Sequence, residues 1–467
     1  MKKIIKTELI NICIQGLGYV GAATIAAVAR AKDNKGNPIY NVIGLDINNK
    51  SGRQRIDSIN RGHFPFQAQD QELLKSIKNA HKEKRLIASY DVRYIKKADI
   101  IVINIPLDVN WKNKLPYVKF DNFDKAIVDI GNNMKADALI IVETTVPPGT
   151  CEKRILPILL NCFDKRKISS KKINLSHSYE RVMPGPDYLD SIINNWRVYS
   201  GYTNKSANLC KKFLSTIINI NKYPLTKLSS LTSSEMAKIM ENSYRAVNIA
   251  FIEEWARFSE KIGINSFEII NSIRKRPTHN NIRQPGFGVG GYCLTKDPYF
   301  ASLSARQLFN IKNLKFPFSE LGVSTNDKMP IENIKILKKV IKTFKNKNIL
   351  LLGATYRSEV DDLRNSPSET FVSEILKLGA KVDIHDPYVK KWDVFKMKIL
   401  NSMPEINKYD AVVLAVSHKF YTNFKFIEWI GNKGIIFMDA NNILAEKVYN
   451  KIKKNGNKVI VTGRGDL

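Results

Sequence analysis

Gly286-Phe287-Gly288-Val289-Gly290-Gly291-Tyr292-Cys293-Leu294-Thr295-Lys296-Asp297-Pro298 sets four glycines within six residues, then a thiol, then a lysine and an aspartate three and four residues beyond the thiol. A backbone so poor in Cβ atoms can wrap a ligand and offer N–H donors. A cysteine near cationic or helix-N-terminal groups reaches the thiolate form that attacks carbonyl carbon. The other cysteines, Cys13, Cys151, Cys162 and Cys210, lie outside any glycine-rich loop and read as inert small hydrophobes. No CxxC pair occurs and no two histidines lie within five residues of each other, so no metal site is expected. An odd, scattered set of thiols in a chain this long points to a reducing, cytoplasmic compartment.

A second constellation lies near the start. Gly16-Leu17-Gly18-Tyr19-Val20-Gly21 fits G-x-G-x-x-G between an apolar run, Ile10–Gln15, and an apolar helical pattern, Tyr19–Ala31. Glycine there permits a tight turn, close approach of backbone to a pyrophosphate, and close helix–strand packing, while the helix start faces the phosphates. Asp46 closes the next buried-strand pattern, 40–46, where a carboxylate accepts from ribose hydroxyls and repels a 2′-phosphate. The expected cofactor is therefore NAD rather than NADP.

The elements that must position these groups follow from periodicity. Further short apolar runs at 98–105 and 137–144, each preceded by helix-like sequence, indicate βαβ units and a parallel sheet. Between about 229 and 262, Met236, Ile239, Met240, Tyr244, Val247, Phe251, Trp255, Phe258 and Ile262 recur at helical spacing, and Ser229, Ser230, Thr232, Ser233 or Ser234 could cap the resulting helix. A second α/β region begins near 330, with strands at 348–353, 381–385, 409–416 and 434–439 and a helix at 366–378 ending at Gly379. The expected fold is α/β: two Rossmann-like, doubly wound parallel-sheet domains joined by a long central helix. The boundaries are 1–215 for a dinucleotide domain, 216–330 for a central helical domain carrying the Cys293 loop, and 331–467 for a second nucleotide-binding domain.

The formal net charge of +30 comes mostly from lysine spread along 467 residues, without a basic tail or an aromatic-interleaved basic motif. That is a solvated, lysine-rich surface rather than a nucleic-acid footprint, and it favours anionic substrates. Lys2, Lys3 and Lys6 precede an uncharged stretch, Leu9–Ala29, which mimics a signal peptide or membrane span. Glu8, Asn11, Gln15 and three glycines argue instead for a strand, a glycine turn and a buried helix.

Over essentially its whole length the chain resembles the UDP-glucose/GDP-mannose dehydrogenase family. Gly16–Gly21, Thr144-Thr145-Val146-Pro147-Pro148-Gly149-Thr150, Glu180-Arg181-Val182, the 235–255 helix, Gly286–Pro298 and Gly353–Pro367 match in order. The resemblance implies a four-electron, NAD-dependent oxidation of the C6 alcohol of a UDP-sugar, serving surface or capsular polysaccharide synthesis. It implies Cys293 as nucleophile, Lys238 and Asn242 as oxyanion partners, Asp297 as base with a water near Thr145, and Glu180 for thioester hydrolysis. Gly16, Gly18, Tyr19, Val20, Gly21, Asp46, Thr145, Lys296 and Arg364 would contact NAD. Glu180, Arg181, Lys238, Ile282, Arg283, Gly286, Gly290 and Arg357 would contact the sugar nucleotide. A homodimer or higher homo-oligomer through the central helix is expected.

The chain departs from the family at Tyr179, where proline commonly precedes the glutamate, at Arg357, where many members carry lysine, and at the Lys32–Pro38 insertion. The Asp108–Pro116 loop is also unusual. Glu180–Gly185 resembles the branch acting on UDP-N-acetylhexosamines, whereas Cys293–Asp297 resembles the UDP-glucose branch; the former is favoured. The rival readings are a two-electron hydroxyacid dehydrogenase of the 6-phosphogluconate type, which needs no thiol, and a non-catalytic dinucleotide-binding regulator.

Overall fold

The computed structural model describes residues 9–113 and 115–467. Lys2, Lys3, Lys6 and Glu8 therefore lie outside the described residues. The chain divides into two compact units: residues up to Met240 with Tyr299–Lys315, and Glu241–Pro298 with Phe316–Leu467.

The first unit is built on strands β1 (Ile10–Gln15), β2 (Tyr40–Leu45), β3 (Leu86–Ser89), β4 (Ile100–Ile103), the hairpin β5 (Val109–Lys112) and β6 (Leu115–Val118), β7 (Leu139–Val142), β8 (Asn174–His177), β9 (Val198–Gly201) and β10 (Thr226–Lys227). Its main sheet has the order β10-β9-β8-β7-β4-β1-β2-β3. Runs such as Leu-Ile-Ile-Val in β7 are buried throughout, as expected of parallel strands covered on both faces. The pairing is parallel except at one place, where β9 runs antiparallel to β8. The strand order reverses between β1 and β4, the crevice in which doubly wound sheets bind ligands.

The uncharged stretch Leu9–Ala29 is β1 followed by the helix Tyr19–Ala29, whose residues Gly21–Ala29 are all buried. Among the described residues no helix is long and apolar enough to cross a membrane. The Lys32–Pro38 insertion closes on itself: Lys32 bridges Pro38, and Asp33 Oδ1 accepts from the backbone N–H groups of Lys35 and Asn37. The Asp108–Pro116 stretch contributes to the β5–β6 hairpin.

The helix Leu231–Ile262 passes from the first unit into the second. Of the five candidate caps, Ser230 is the one used: its Oγ accepts from the Ser233 N–H at 3.0 Å. Ile239 is buried, but Met236, Met240, Tyr244, Phe251, Trp255, Phe258 and Ile262 are exposed, Met240 by 64%. The side that packs within the second unit carries small residues, Ala246, Ala250 and Ala256. Small residues let the helix Pro317–Ile341 approach so closely that Gly322 meets Val247.

The second unit's sheet uses β11 (Asn348–Leu352), β12 (Lys381–His385), β15 (Ala411–Leu414), β16 (Ile436–Asp439) and β17 (Lys458–Val461), with a small hairpin of β13 (Lys391–Trp392) and β14 (Met397–Lys398). The order β12-β11-β15-β16-β17 is all parallel and reverses between β11 and β15. Gly353 ends β11 with φ +104, and a Cβ there would lie 2.5 Å from Val416 Cβ. Both the backbone conformation and the contact exclude a side chain. Gly353→Ala should lower stability by roughly 2–4 kcal/mol, read as an earlier urea midpoint.

Candidate nucleotide and thiol sites

In the first unit Gly16 adopts φ +97, and a Cβ there would sit 2.7 Å from the Asn104 carbonyl oxygen. A Cβ on Gly21 would collide with the Gly16 carbonyl oxygen, whereas one on Gly18 would meet nothing within 4 Å. Two glycines thus serve packing, and the third keeps open space at the start of the helix. No side chain caps that helix and no acidic residue occupies its first turn, so its positive end is available to phosphate. Tyr19 stacks on Phe66 at 4.0 Å. Asp46 follows β2; its Oδ1 accepts from the Ile47 N–H and its Oδ2 from Arg55 Nε at 2.6 Å. A carboxylate has about four acceptor positions, so capacity for ribose hydroxyls remains. This cradle fits a dinucleotide.

Beneath it lies a network that sequence reasoning missed. Glu143 accepts from Thr24 Oγ1 at 3.0 Å, from Asn104 Nδ2 at 2.9 Å and from Arg197, and Arg197 Nε donates to Ser178 Oγ at 3.2 Å. Both members of the ion pair are buried, so each must be satisfied by such contacts. The network joins the glycine turn to the segment Ser178–Arg181. A glutamate directly after the apolar run of β7 was the available signal.

That segment follows β8. Glu180 is buried rather than part of a surface ion pair: its carboxylate accepts from the Val182 N–H, and burial pushes its pKa up against the opposing pull of Lys238. Lys238 is also buried, and its Nζ donates to the Glu180 carbonyl at 3.0 Å. Arg181 donates to the Trp196 carbonyl at 2.9 Å. His177 shares a 2.7 Å hydrogen bond with Ser234, and burial drives its pKa down to about 3, so the ring is neutral. Thr145 is half-buried on a turn fixed from the long helix, where Glu235 accepts from the Gly149 N–H at 2.5 Å and the Cys151 N–H at 2.7 Å.

In the second unit Cys293 is half-buried, whereas the other four thiols are buried. Its carbonyl accepts from the Lys296 and Asp297 N–H groups at 3.2 and 2.9 Å, which closes the backbone into a single turn from the thiol to the two ionisable residues. Asp297 has no exposed surface; Oδ1 pairs with Lys296 Nζ at 2.7 Å, and Oδ2 accepts from Asn242 Nδ2 at 2.7 Å. Lys296 Nζ also lies 4.4 Å from the Tyr292 ring centroid, and Arg364 Cζ lies 5.5 Å from the same centroid while pairing with Asp362.

The glycines of the loop answer close neighbours more than an enveloped ligand. A Cβ on Gly288 would strike Pro367, one on Gly290 would strike Tyr356 and Pro367, and one on Gly291 would strike the Tyr356 ring. The Phe287 N–H goes to Asn441 Oδ1 and the Gly291 N–H to the Arg364 carbonyl. Asn333 donates to the carbonyls of Gly286 and Phe287. Tyr356, Asn333 and Asn441 were not anticipated, because no local pattern marks a side chain that supports a loop distant in sequence. Arg357 and Arg283 are exposed and Ile282 is half-buried, so these three are not drawn into the buried cluster around Asp297. Among the described residues no group of three potential metal ligands converges.

Sequence profiles of the UDP-glucose/GDP-mannose dehydrogenase family match in series: the NAD binding domain over residues 10–218, the central domain over 232–328 and the UDP binding domain over 350–446. A UDP-N-acetyl-D-mannosamine dehydrogenase from Methanocaldococcus jannaschii is 33% identical over 465 residues, covering 97% of each chain. The solved UDP-D-ManNAc dehydrogenase of Pyrococcus horikoshii aligns with a TM-score of 0.81 at 27% identity, covering 98% of this chain and 100% of its own. A UDP-glucose dehydrogenase from Pyrobaculum islandicum shares the fold, with a TM-score of 0.80 at 17% identity, over 98% of this chain and 99% of its own. Together with these matches, the two Rossmann-type sheets and the dinucleotide cradle mark an NAD-dependent nucleotide-sugar dehydrogenase. The chain belongs to the UDP-glucose/GDP-mannose dehydrogenase family.

Two outcomes follow from this geometry. Asp46→Ala should raise KM for NAD by about tenfold or more, since a charge-assisted hydrogen bond contributes ~1.5–3 kcal/mol. It should also narrow the preference over NADP by leaving Arg55 unpaired, checked by steady-state kinetics with both cofactors. Burial raises the Glu235 carboxyl to about 8 from 4.5. The folded chain therefore holds that proton more tightly than the unfolded chain does. The resulting stabilisation is complete below pH 4.5 and is lost as pH rises through 8. Melting temperature measured from pH 5 to 9 should fall more steeply in the native chain than in Glu235→Gln.

Proposed function

We propose that the chain oxidises the C6 alcohol of a UDP-N-acetylhexosamine to the carboxylate, with Cys293 as covalent nucleophile. The observation that carries this reading is the half-buried Cys293, whose carbonyl takes the N–H groups of Lys296 and Asp297 and so ties it to the buried Asp297–Lys296–Asn242 cluster. Bound NAD supplies a hydride acceptor, and two are consumed in turn. Asp297, with a water near Thr145, takes the proton of the C6 hydroxyl as the aldehyde forms. Cys293 sulfur adds to the aldehyde carbon, and the oxygen becomes the hydroxyl of a thiohemiacetal. Lys238 and one N–H of Asn242 stabilise the charge on that oxygen. Loss of the second hydride and the hydroxyl proton leaves a thioester. Water attacks its carbon, the C–S bond breaks, and the carboxylate leaves with the thiol regenerated. Glu180, its carboxyl raised by burial, suits the proton transfers of that hydrolysis.

Gly16, Gly18, Tyr19, Val20, Gly21, Asp46, Thr145, Lys296 and Arg364 are assigned to NAD. Lys296 and Arg364 pair with Asp297 and Asp362 respectively. Arg181, Ile282, Arg283, Gly286, Gly290 and Arg357 are assigned to the sugar nucleotide, with the exposed Arg357 offering a fork to the diphosphate. The division into residues 1–215, 216–330 and 331–467 as NAD-binding, central and UDP-sugar-binding domains belongs to the same reading. The exposed apolar face of the long helix, from Met236 to Ile262, supports a homodimer. Five free cysteines support a cytoplasmic setting, and a polysaccharide precursor is the expected product.

The sugar is favoured by the Glu180–Gly185 segment and by the relatives named UDP-N-acetyl-D-mannosamine dehydrogenase. Incubation with UDP-N-acetyl-D-mannosamine, UDP-N-acetylglucosamine and UDP-glucose should yield two NADH per sugar, fastest with an N-acetylated one. Cys293→Ser should lower net uronate formation by about 1000-fold or more, the scale of a lost nucleophile. One NADH per sugar, or a Cys293→Ser enzyme of undiminished rate, would instead establish a two-electron dehydrogenase.

A further inference from the structure

Tyr179 replaces the proline that commonly precedes the glutamate in this family. It is 2% exposed, and two cations lie against its ring: Lys238 Nζ at 5.3 Å from the centroid and Arg181 Cζ at 5.6 Å. Arg181 Nη2 also donates to the Tyr179 hydroxyl, at 3.4 Å. Lys238 is itself only 6% exposed. A buried ammonium must recover what it loses on leaving water, and the Glu180 carbonyl at 3.0 Å supplies one acceptor for its three donors. The ring face supplies a second, diffuse source of negative potential that uses no lone pair. An N–H of Lys238 thereby stays available for a ligand oxygen, which a further carboxylate at that place would have taken. Proline has neither a π face nor a hydroxyl.

We infer that Tyr179 is a positioning residue: its aromatic face fixes the Lys238 ammonium above the Glu180 carbonyl and aligns the Arg181 guanidinium beside it. The consequence for turnover rests on the proposed function, in which Lys238 serves the reacting oxygen and Arg181 the sugar nucleotide. Arg181, held by the Trp196 carbonyl on one side and the ring on the other, becomes part of the same device.

The test replaces Tyr179 with phenylalanine and then with phenylalanines of increasing fluorination, which drains the π face while nearly preserving volume. Tyr179→Phe should keep kcat within about twofold and raise KM for the UDP-sugar through the lost hydroxyl contact. Each added fluorine should then lower kcat, to about tenfold at full substitution, the scale of a desolvated cation–π contact. KM for NAD and melting temperature should stay constant, which a merely structural role would not produce. A flat kcat across the fluorinated series overturns the inference, as does a Phe variant as slow as the fully fluorinated one. Lys238→Met separates the two levels of argument. With that change kcat should collapse and the fluorine dependence vanish. If Lys238→Met keeps full kcat, the role of Lys238 in the proposed function falls. If it collapses while the series on the native background is flat, the inference about Tyr179 alone falls.

Discussion

A carboxylate with no exposed surface is expensive to hold unless cations and N–H groups surround it, and the second unit's glycine-rich loop is arranged around one such group. Asp297 is held by its neighbour Lys296 and by Asn242 from the long helix. Because both N–H groups of Lys296 and Asp297 return to the Cys293 carbonyl, fixing Asp297 also fixes the backbone of the thiol. The loop's other face is pinned by Asn441 and Asn333 and pressed by Tyr356 and Pro367. A thiol supported in this way has little freedom left to lose, the preorganisation on which its proposed covalent role would draw.

The first unit solves the same electrostatic problem with different residues. Glu143 and Arg197 lie beyond the ends of β7 and before β9, and their hydrogen bonds run to Thr24, Asn104 and Ser178. Removing one partner would leave the other charged and unsolvated, which costs far more than the pair itself gains. Their value is therefore geometric: the glycine turn and the Glu180 segment share one rigid foundation. Glu235 extends this pattern to the Thr145 turn, holding two backbone N–H groups with one carboxyl.

What could be read from residue order alone followed the range of the interactions involved. β4, β7, β11 and β15 were legible because a buried parallel strand writes itself as an apolar run bounded by glycine or a polar residue. β17 and the helix Pro317–Ile341 were not, the first because its apolar run is only Val459-Ile460-Val461, the second because an internal Pro330 interrupts the helical grammar. The long helix was legible with its apolar stripe, most of which is bare in the single chain. The candidate site divided similarly. Cys293, Asp297 and the glycine turns carry local signatures, while Arg197, Asn333, Asn441 and Tyr356 act across 46 residues of chain or more and leave none. Glu180 was placed by resemblance alone; its burial could not be inferred from an adjacent arginine.

The seven-residue turn from Lys32 to Pro38 meets its own needs, with Asp33 serving the two amides opposite it and a single bridge closing the ends. Nothing in the sheet order is altered by its presence, since β2 still pairs with β1 in full register from Tyr40 onward. Chain length can therefore drift at this corner without displacing Asp46, making it a natural place to splice in a reporter peptide or an affinity handle.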